Sequence, residues 1–371
     1  EKEPAGRPGR PPGRSPDFGG GGGDRLGMRL GDDLRVTLFG ESHGTCVGAL
    51  VEGIPPGTKI DPEALSEDLN LRKPGRKGVS PRSESDDCEI LSGVYQGKAT
   101  GWPIVLIARN SNARSSDYRF LPDHPRPGHA DMVESIWSEG SFDPRGGGSQ
   151  SARLTLGLVA AGSQVRAILN KSGWSCCAHL SRVGEISAKP LMQLDRVKSL
   201  EEGSLMAKLN CRDPEAAIQM LDFIDQTRKE GDSLGSVVEL IIEGVPIGVG
   251  DPWFDGIEPS LSRGLMAIPG ARAIEFSDGV RSSEMKGSES NDMWLPGEVA
   301  PILEGAETGE ADGALGGRST GAPIRVLVHF KPPSSFPREQ FTLHLPSNER
   351  KELRVGGRHD PVIGPRAAPV V

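Results

Sequence analysis

Leu50-Val-Glu-Gly-Ile-Pro-Pro-Gly57 and Ile241-Ile-Glu-Gly-Val-Pro-Ile-Gly248 repeat one pattern at two places in the chain. Each starts as an apolar strand end and turns at a Gly followed by Ile or Val and Pro. A helix start comes next in both. Asp61-Pro62-Glu63 supplies an N-cap with proline at the first helical position, and Glu258-Pro259 repeats the device. The first helix should run to about Arg72 before Pro74-Gly75, and the second, Pro259 to Ile268, stops at Pro269-Gly270. A duplicated strand–loop–helix unit, one per half, explains the echo; two unrelated turns of one type is the other reading.

Outward from these stretches, Leu34 to Phe39 and Val47 to Ile54 read as strands joined by Gly40-Glu-Ser-His-Gly44. Cys88 to Val94, Pro103 to Ala108, Val237 to Val245 and Ile324 to Phe330 are further strands. Ala152 to Asn170 is apolar nearly all round and reads as a buried helix. Asp213-Pro214-Glu215 opens another, with Ile218, Leu221, Phe223 and Ile224 as its apolar face. Between Arg109 and Gly148 runs a long polar connection, broken by a short helix near Met132 to Ser138. Connections of that length inside a domain usually carry function.

The chain has 371 residues, 43 Lys+Arg against 51 Asp+Glu, and a net charge of −8. An acidic balance with only 5% aromatics argues against a dedicated nucleic-acid binder. No uncharged apolar run approaches the roughly 20 residues that span a bilayer. Gly 50 and Pro 31 are an excess, of which residues 1–30 hold only 9 Gly and 5 Pro. Residues 1–27 therefore read as a disordered Gly/Pro-rich leader, and the remainder as loop-rich in its own right. Five cysteines, none in a C-x-x-C pair, fit a cytoplasmic protein, with Cys176–Cys177 read as two buried thiols.

Chemistry must come from loops, because no phosphate-loop, dinucleotide or zinc motif is present. Gly40-Glu-Ser-His-Gly44 sets His43 at a strand end, as a proton donor or as a solvated loop histidine. Arg126-Pro-Gly-His-Ala-Asp131 packs guanidinium, imidazole and carboxylate into six residues, an anion clamp or a helix start capped by Asp131. Arg145-Gly-Gly-Gly-Ser-Gln-Ser-Ala-Arg153 leads into the buried helix, where backbone N–H groups favour an anion. Lys331-Pro-Pro-Ser-Ser335 and Gly356-Gly-Arg-His-Asp-Pro361 complete the set. Arginines and lysines concentrate at Arg72, Lys73, Arg76, Lys77, Arg82, Arg109, Arg114, Arg119 and Arg126. On an acidic chain this suggests a pocket for a small, multiply charged, phosphorylated molecule.

Taken in order, the motifs resemble the chorismate synthase family. The resemblance rests on Phe39-Gly-Glu-Ser-His-Gly44, Arg72-Lys-Pro-Gly75, Ile90-Leu-Ser-Gly-Val94, Arg126 to Asp131, and Gly146-Gly-Gly148 to Arg153. It continues through Glu230-Gly-Asp-Ser233, Leu315-Gly-Gly317, Lys331 to Ser335 and Gly357-Arg-His-Asp-Pro361. It covers Met28 to Val371. It implies an α+β fold, a β-α-β sandwich with helices between antiparallel sheets and pseudo-twofold halves, in one catalytic domain over residues 28–371. The implied reaction is anti-1,4-elimination of phosphate from 5-enolpyruvylshikimate 3-phosphate to give chorismate. The implied cofactor is reduced FMN, with NADPH as reductant in members that reduce their own flavin and an external flavin reductase serving the others. A cytoplasmic homotetramer is expected, as is a C-terminal helix beyond Val371.

By the same resemblance His43 protonates the leaving phosphate, His129 faces the flavin N1 edge, and Asp360 assists removal of the C6 proton. Ser42, Arg72, Arg126 and Arg153 bind substrate. Ser149, Gln150, Ser151, Pro269, Gly270, Gly316, Lys331, Pro332, Pro333, Ser334, Ser335 and Arg358 line the flavin site. The chain departs from the family's frequent residues at Gly78, Ser149, Gln150, Leu154, Pro333 and Val362, and Gly78 removes an expected anion contact. A homologue that only binds flavin or a phosphorylated metabolite is the alternative, against which the retained His43, His129 and Asp360 argue.

Overall fold

A computed structural model describes residues 27–73, 86–110, 115–357 and 359–371. Two five-stranded antiparallel sheets form its frame. The first has the order Arg29–Leu30, Arg35–Gly40, Cys46–Glu52, Ile104–Arg109, Glu89–Ile90. The second has the order Ala271–Phe276, Ile324–Phe330, Ser236–Glu243, Ser175–Val183, Ile186–Ser187. The two strands quoted at the outset occupy the centre of their sheets, and each is followed by its helix, Pro62–Arg72 and Ile257–Met266. The echo is therefore a duplication.

Backbone geometry repeats with it. Gly53 and Gly244 both sit at positive φ, 87° and 80°. A Cβ on Gly53 would lie 1.9 Å from the Asp33 carbonyl, and one on Gly244 would lie 2.0 Å from that of Gly173. In each half the chain leaving the central strand crosses the start of its neighbour so closely that only glycine fits.

A second pair of stretches belongs to the same duplication and escaped the sequence reading. Gly93-Val-Tyr-Gln-Gly-Lys-Ala-Thr-Gly-Trp-Pro-Ile104 matches Gly313-Ala-Leu-Gly-Gly-Arg-Ser-Thr-Gly-Ala-Pro-Ile324. Both form a short hairpin, Val94–Tyr95 with Lys98–Ala99 and Ala314–Leu315 with Arg318–Ser319. Gly57 N–H donates to Ala99 O at 2.8 Å, and Gly248 N–H to Ser319 O at 2.9 Å.

Helices lie between the sheets. Thr155–Lys171 packs on the first sheet, where Gly157 lets the helix approach closely; a Cβ there would be 2.7 Å from Gly48 O. Pro62–Arg72 packs on that helix and meets the C-terminal turn Gly364–Ala367, which rests on the second sheet. Asn210 Nδ2 donates to Pro365 O and Leu71 O, at 2.5 and 3.4 Å, and Val370 packs against both apolar cores. Among the described residues no helix is long and apolar enough to cross a membrane.

Four expectations need correction. The second helix starts at Ile257 with Gly256 at its cap, so Glu258-Pro259 lies inside the first turn and does not repeat the Asp61-Pro62 start. The strand expected over Cys88 to Val94 joins the sheet only at Glu89–Ile90, and Val94 pairs with Ala99 in the hairpin instead, because Gly93 turns at φ 79°. The Pro214–Lys229 helix buries Ala216, Ala217, Met220 and Ile224, while Ile218 faces outward; small alanines permit a closer approach than a branched residue would. Cys176 is exposed and Cys177 half-buried, since neighbours on a strand face opposite ways. The leader expected over residues 1–27 falls, up to residue 26, outside the described residues.

We predict that Gly53→Ala and Gly244→Ala each destabilise by about 1–3 kcal/mol. Gly57→Ala, at positive φ but facing open space, should cost less. Urea denaturation of the three variants checks the order.

Candidate active site

One cavity of about 710 Å³ gathers loops from both halves, a size usual for small-molecule sites. Its walls include Arg72, Arg126, His129, Gln150, Ser151, Arg153, Pro269, Gly270, Lys331, Pro333, Ser334, Ser335 and Asp360, all singled out from sequence. These come from stretches up to almost 290 residues apart, and only the fold joins them.

The turn from Arg126 to Asp131 is the most constrained part. Arg126 forks onto Asp131, Nε to Oδ2 and Nη2 to Oδ1, both at 2.8 Å, with its backbone N–H also on Oδ2. His129 Nδ1 lies 2.7 Å from Asp131 Oδ1 and 3.2 Å from Arg126 Nη2, so this nitrogen is engaged within the cluster and Nε2 remains for other partners. Burial alone would raise the Asp131 carboxyl. The bonds from Arg126 and His129 override that and hold it well below the usual carboxylate range. Asp131 is therefore not a helix cap: the capping position is Ala130, which makes no side-chain bond, because the carboxylate is committed to Arg126 and His129.

Arg72 and Arg153 are likewise held from behind. Both donate to Asp86, whose side chain is fully buried: Arg72 Nη1 to Oδ2 at 2.6 Å and Arg153 Nη1 to Oδ1. Arg72 also bonds Thr155 Oγ1 and the Ala152 carbonyl. Sequence reading identified the three arginines as ligands for anions and set the Asp131 carboxylate beside Arg126, but missed Asp86, which orients the other two. Nothing in local spacing marks Asp86; it is fourteen residues from one arginine and sixty-seven from the other.

His43 sits one residue behind the wall. Gly146, Gly147 and Gly148 run at φ 61°, 90° and 53°, threading between the two catalytic histidines proposed from sequence. A Cβ on Gly146 would lie 2.7 Å from His43 Nε2 and 2.6 Å from Ser42 Oγ, and one on Gly147 would lie 3.3 Å from His129 Nε2. The glycines are there because side chains would displace both imidazoles. Tyr118, unremarked in the sequence, lines the cavity with its ring edge-on to His43 at 5.2 Å and under the Arg126 guanidinium at 5.6 Å. The expectation of a glycine loop at a helix N-terminus is met with one difference. A short 3-10 turn, Ala152–Leu154, capped by Ser151, stands between loop and helix.

Besides His43, four sequence candidates lie off the cavity wall, and Arg358 cannot be placed. Ser149 faces a smaller hollow beside Glu134 and Trp137. Pro332 turns toward Gly235, 3.6 Å from where a Cβ there would be. Gly316 sits at the tip of the Ala314–Ser319 hairpin with open space around it. Ser42 is behind Gly146, and Arg358 lies outside the described residues, as do Arg76, Lys77, Gly78, Arg82 and Arg114. On the far wall Lys331 Nζ donates to Ser334 Oγ at 2.9 Å and to Gly128 O, and Arg366 Nη1 holds Asp360 Oδ2 at 2.8 Å. Arg272, Arg366 and His359 also line this wall.

Comparison with known proteins agrees with this geometry. The family model described as chorismate synthase matches residues 34–371. Chorismate synthase of Aeropyrum pernix is 43% identical over 344 residues, covering 92% of this chain and 89% of the relative. That of Methanosarcina mazei is 41% identical over 347 residues, covering 93% and 92%. A crystal structure of chorismate synthase superposes with a TM-score of 0.67 at 25% identity, covering 91% of this chain and 87% of the other.

The Asp131 network makes a pH prediction. Its folded pKa lies below the unfolded value of about 3.9, so its stabilisation is present above that value and is lost as pH falls through the folded one. Asp131→Asn should cost about 3–5 kcal/mol at pH 7 by leaving a buried arginine uncompensated. The gap to the parent protein, followed by urea denaturation against pH, should stay level from pH 8 to about 5 and narrow below about 4.

Proposed function

This chain belongs to the chorismate synthase family, and we propose from that premise how its residues divide the work. The protein is a lyase of aromatic amino-acid biosynthesis: it removes phosphate from 5-enolpyruvylshikimate 3-phosphate to give chorismate. In that 1,4-elimination the C3–O bond breaks and its electrons leave with phosphate. The C6–H bond supplies the electrons of the new double bond, and its proton passes to a base, so the sum is redox-neutral.

The observation that carries the reading is the meeting of His129, Asp360, Arg126 and Arg153 around one cavity, with His43 behind Gly146. His43 donates a proton to the departing phosphate, which would otherwise leave with a full extra charge. Arg153 and Arg126, aimed by Asp86 and Asp131, face the substrate's anionic groups, and Ser42 steadies the loop through its bond to Arg145 O. Asp360, oriented by Arg366, stands where the C6 proton is removed.

The far wall suits a reduced flavin. Lys331, Ser334, Ser335 and His129 offer donors to an anion-bearing ring system, and Gly128 and Gly147 leave room where a Cβ would crowd Ser334 or His129. Reduced FMN, when bound, supplies transient electron density to the substrate. His129 keeps a proton at hand beside it, and Gln150, Ser151, Pro269, Gly270 and Pro333 close the wall. NADPH or an external reductase provides the reduced flavin. Residues 28–371 act as one catalytic domain, in the cytoplasm and as a homotetramer.

Anaerobic phosphate release from the substrate with photoreduced FMN tests the activity. His43→Ala should lower kcat by about 10²–10⁴-fold while flavin binding, followed by fluorescence, is retained. Unchanged turnover in that variant would remove His43 from the mechanism. A parent protein that binds flavin without releasing phosphate would favour the binding-only homologue.

A further inference from the structure

Asn110 belongs to none of the sequence motifs and does not line the cavity, yet it bonds to both the loop of His43 and Arg153. It follows the strand Ile104–Arg109, and its backbone N–H donates to Thr45 O at 3.1 Å, which extends that strand beside the His43 loop. Its side-chain Nδ2 donates to Glu41 O at 2.9 Å and to Gly44 O at 3.0 Å. Those carbonyls belong to the first and last residues of the turn around His43, which Gly44 N–H closes onto Glu41 O at 3.0 Å. At the other end of the amide, Oδ1 accepts from Arg153 Nε at 3.3 Å.

The amide can serve in only one orientation. Carbonyl oxygens need its two N–H donors, and a guanidinium has nothing but donors to offer its oxygen. Turned over, the side chain would set oxygen against two carbonyl oxygens and an NH2 group against Arg153. Aspartate has the shape without the donors. Ser42 adds its own ties to the turn, from its N–H to Gly148 O at 3.1 Å and from Oγ to Arg145 O at 3.3 Å. Arg153, whose Nη1 is held by Asp86, gains a second fixed point at Nε. Two points set the plane of a guanidinium that one point would let pivot.

We infer that Asn110 is a positioning residue for the elimination, holding the turn of His43 and the Arg153 guanidinium at one fixed separation. The inference rests on the roles proposed above for those two side chains. Arg153 locates an anionic group of the substrate, and His43 gives a proton to the leaving phosphate. Their spacing must therefore match a distance within one substrate molecule. Asp86 and Asp131 aim cations, whereas Asn110 sets the proton donor relative to one of them.

Asn110→Ala and Asn110→Asp are compared with the parent protein in anaerobic phosphate release with photoreduced FMN. Substrate affinity is measured separately by calorimetry without flavin, and thermal unfolding follows the fold. Asn110→Ala should lower kcat by about 10–100-fold and weaken 5-enolpyruvylshikimate 3-phosphate by about 3–10-fold. Asn110→Asp, which keeps the shape but presents oxygen to both carbonyls, should not restore kcat. With His43→Ala already in place, adding Asn110→Ala should cost less than about 3-fold in kcat while its loss of affinity persists. A residue that only stabilised the loop would not divide its effects in this way. Parent-like kcat or affinity in Asn110→Ala, parent-like kcat in Asn110→Asp, or an undiminished kcat loss in the double variant overturns the role. A parent protein that binds the substrate but releases no phosphate refutes the proposed elimination itself, and the positioning role with it.

Discussion

A single buried carboxylate ties the two ends of the first half to the cavity. Asp86 takes Arg72 on one oxygen and Arg153 on the other. Arg72 closes the helix that follows the central strand, and Arg153 opens the turn before the helix packed on that sheet. Three charges in a site closed to water would be costly singly. They are tolerated because each oxygen has a guanidinium and Arg72 spends its remaining donors on Thr155 and the Ala152 carbonyl. The result is a rigid floor with a surplus positive charge, which is what an anionic substrate needs.

Asp131 repeats the arrangement on a smaller scale with Arg126 and His129. In both clusters a carboxylate turned away from solvent aims cations toward it. The wall formed by Arg272 and Lys331 lacks this backing.

The duplicated frame explains why the cavity lies where it does. Each half contributes a sheet, and the helices and the C-terminal turn fill the space between. Loops of the first half bring His43, Arg126 and the three glycines. The second half supplies Pro269, Gly270, Lys331 and Asp360. A site between two halves that share one backbone plan does not use every equivalent position: the Val94–Ala99 and Ala314–Ser319 hairpins occupy matching places in the two halves, yet neither lies on the wall.

Strands, helix starts and most wall residues were legible locally. Apolar alternation, Asp-Pro starts and glycine turns act over a few residues, and the ordered motifs supplied the rest. Ile218 was misread because helix periodicity names a face without saying which neighbour is close enough to cover it. Asp86 and Tyr118 were invisible because a carboxylate beside remote arginines, and a ring between a histidine and an arginine, leave no trace in spacing. Local sequence was enough for most of the elements and for the residue types of the site, and it offered the duplication as one of two readings. Only the tertiary structure decided which charges are spent on one another and which remain for ligands, because desolvation and pairing depend on groups brought together from far along the chain.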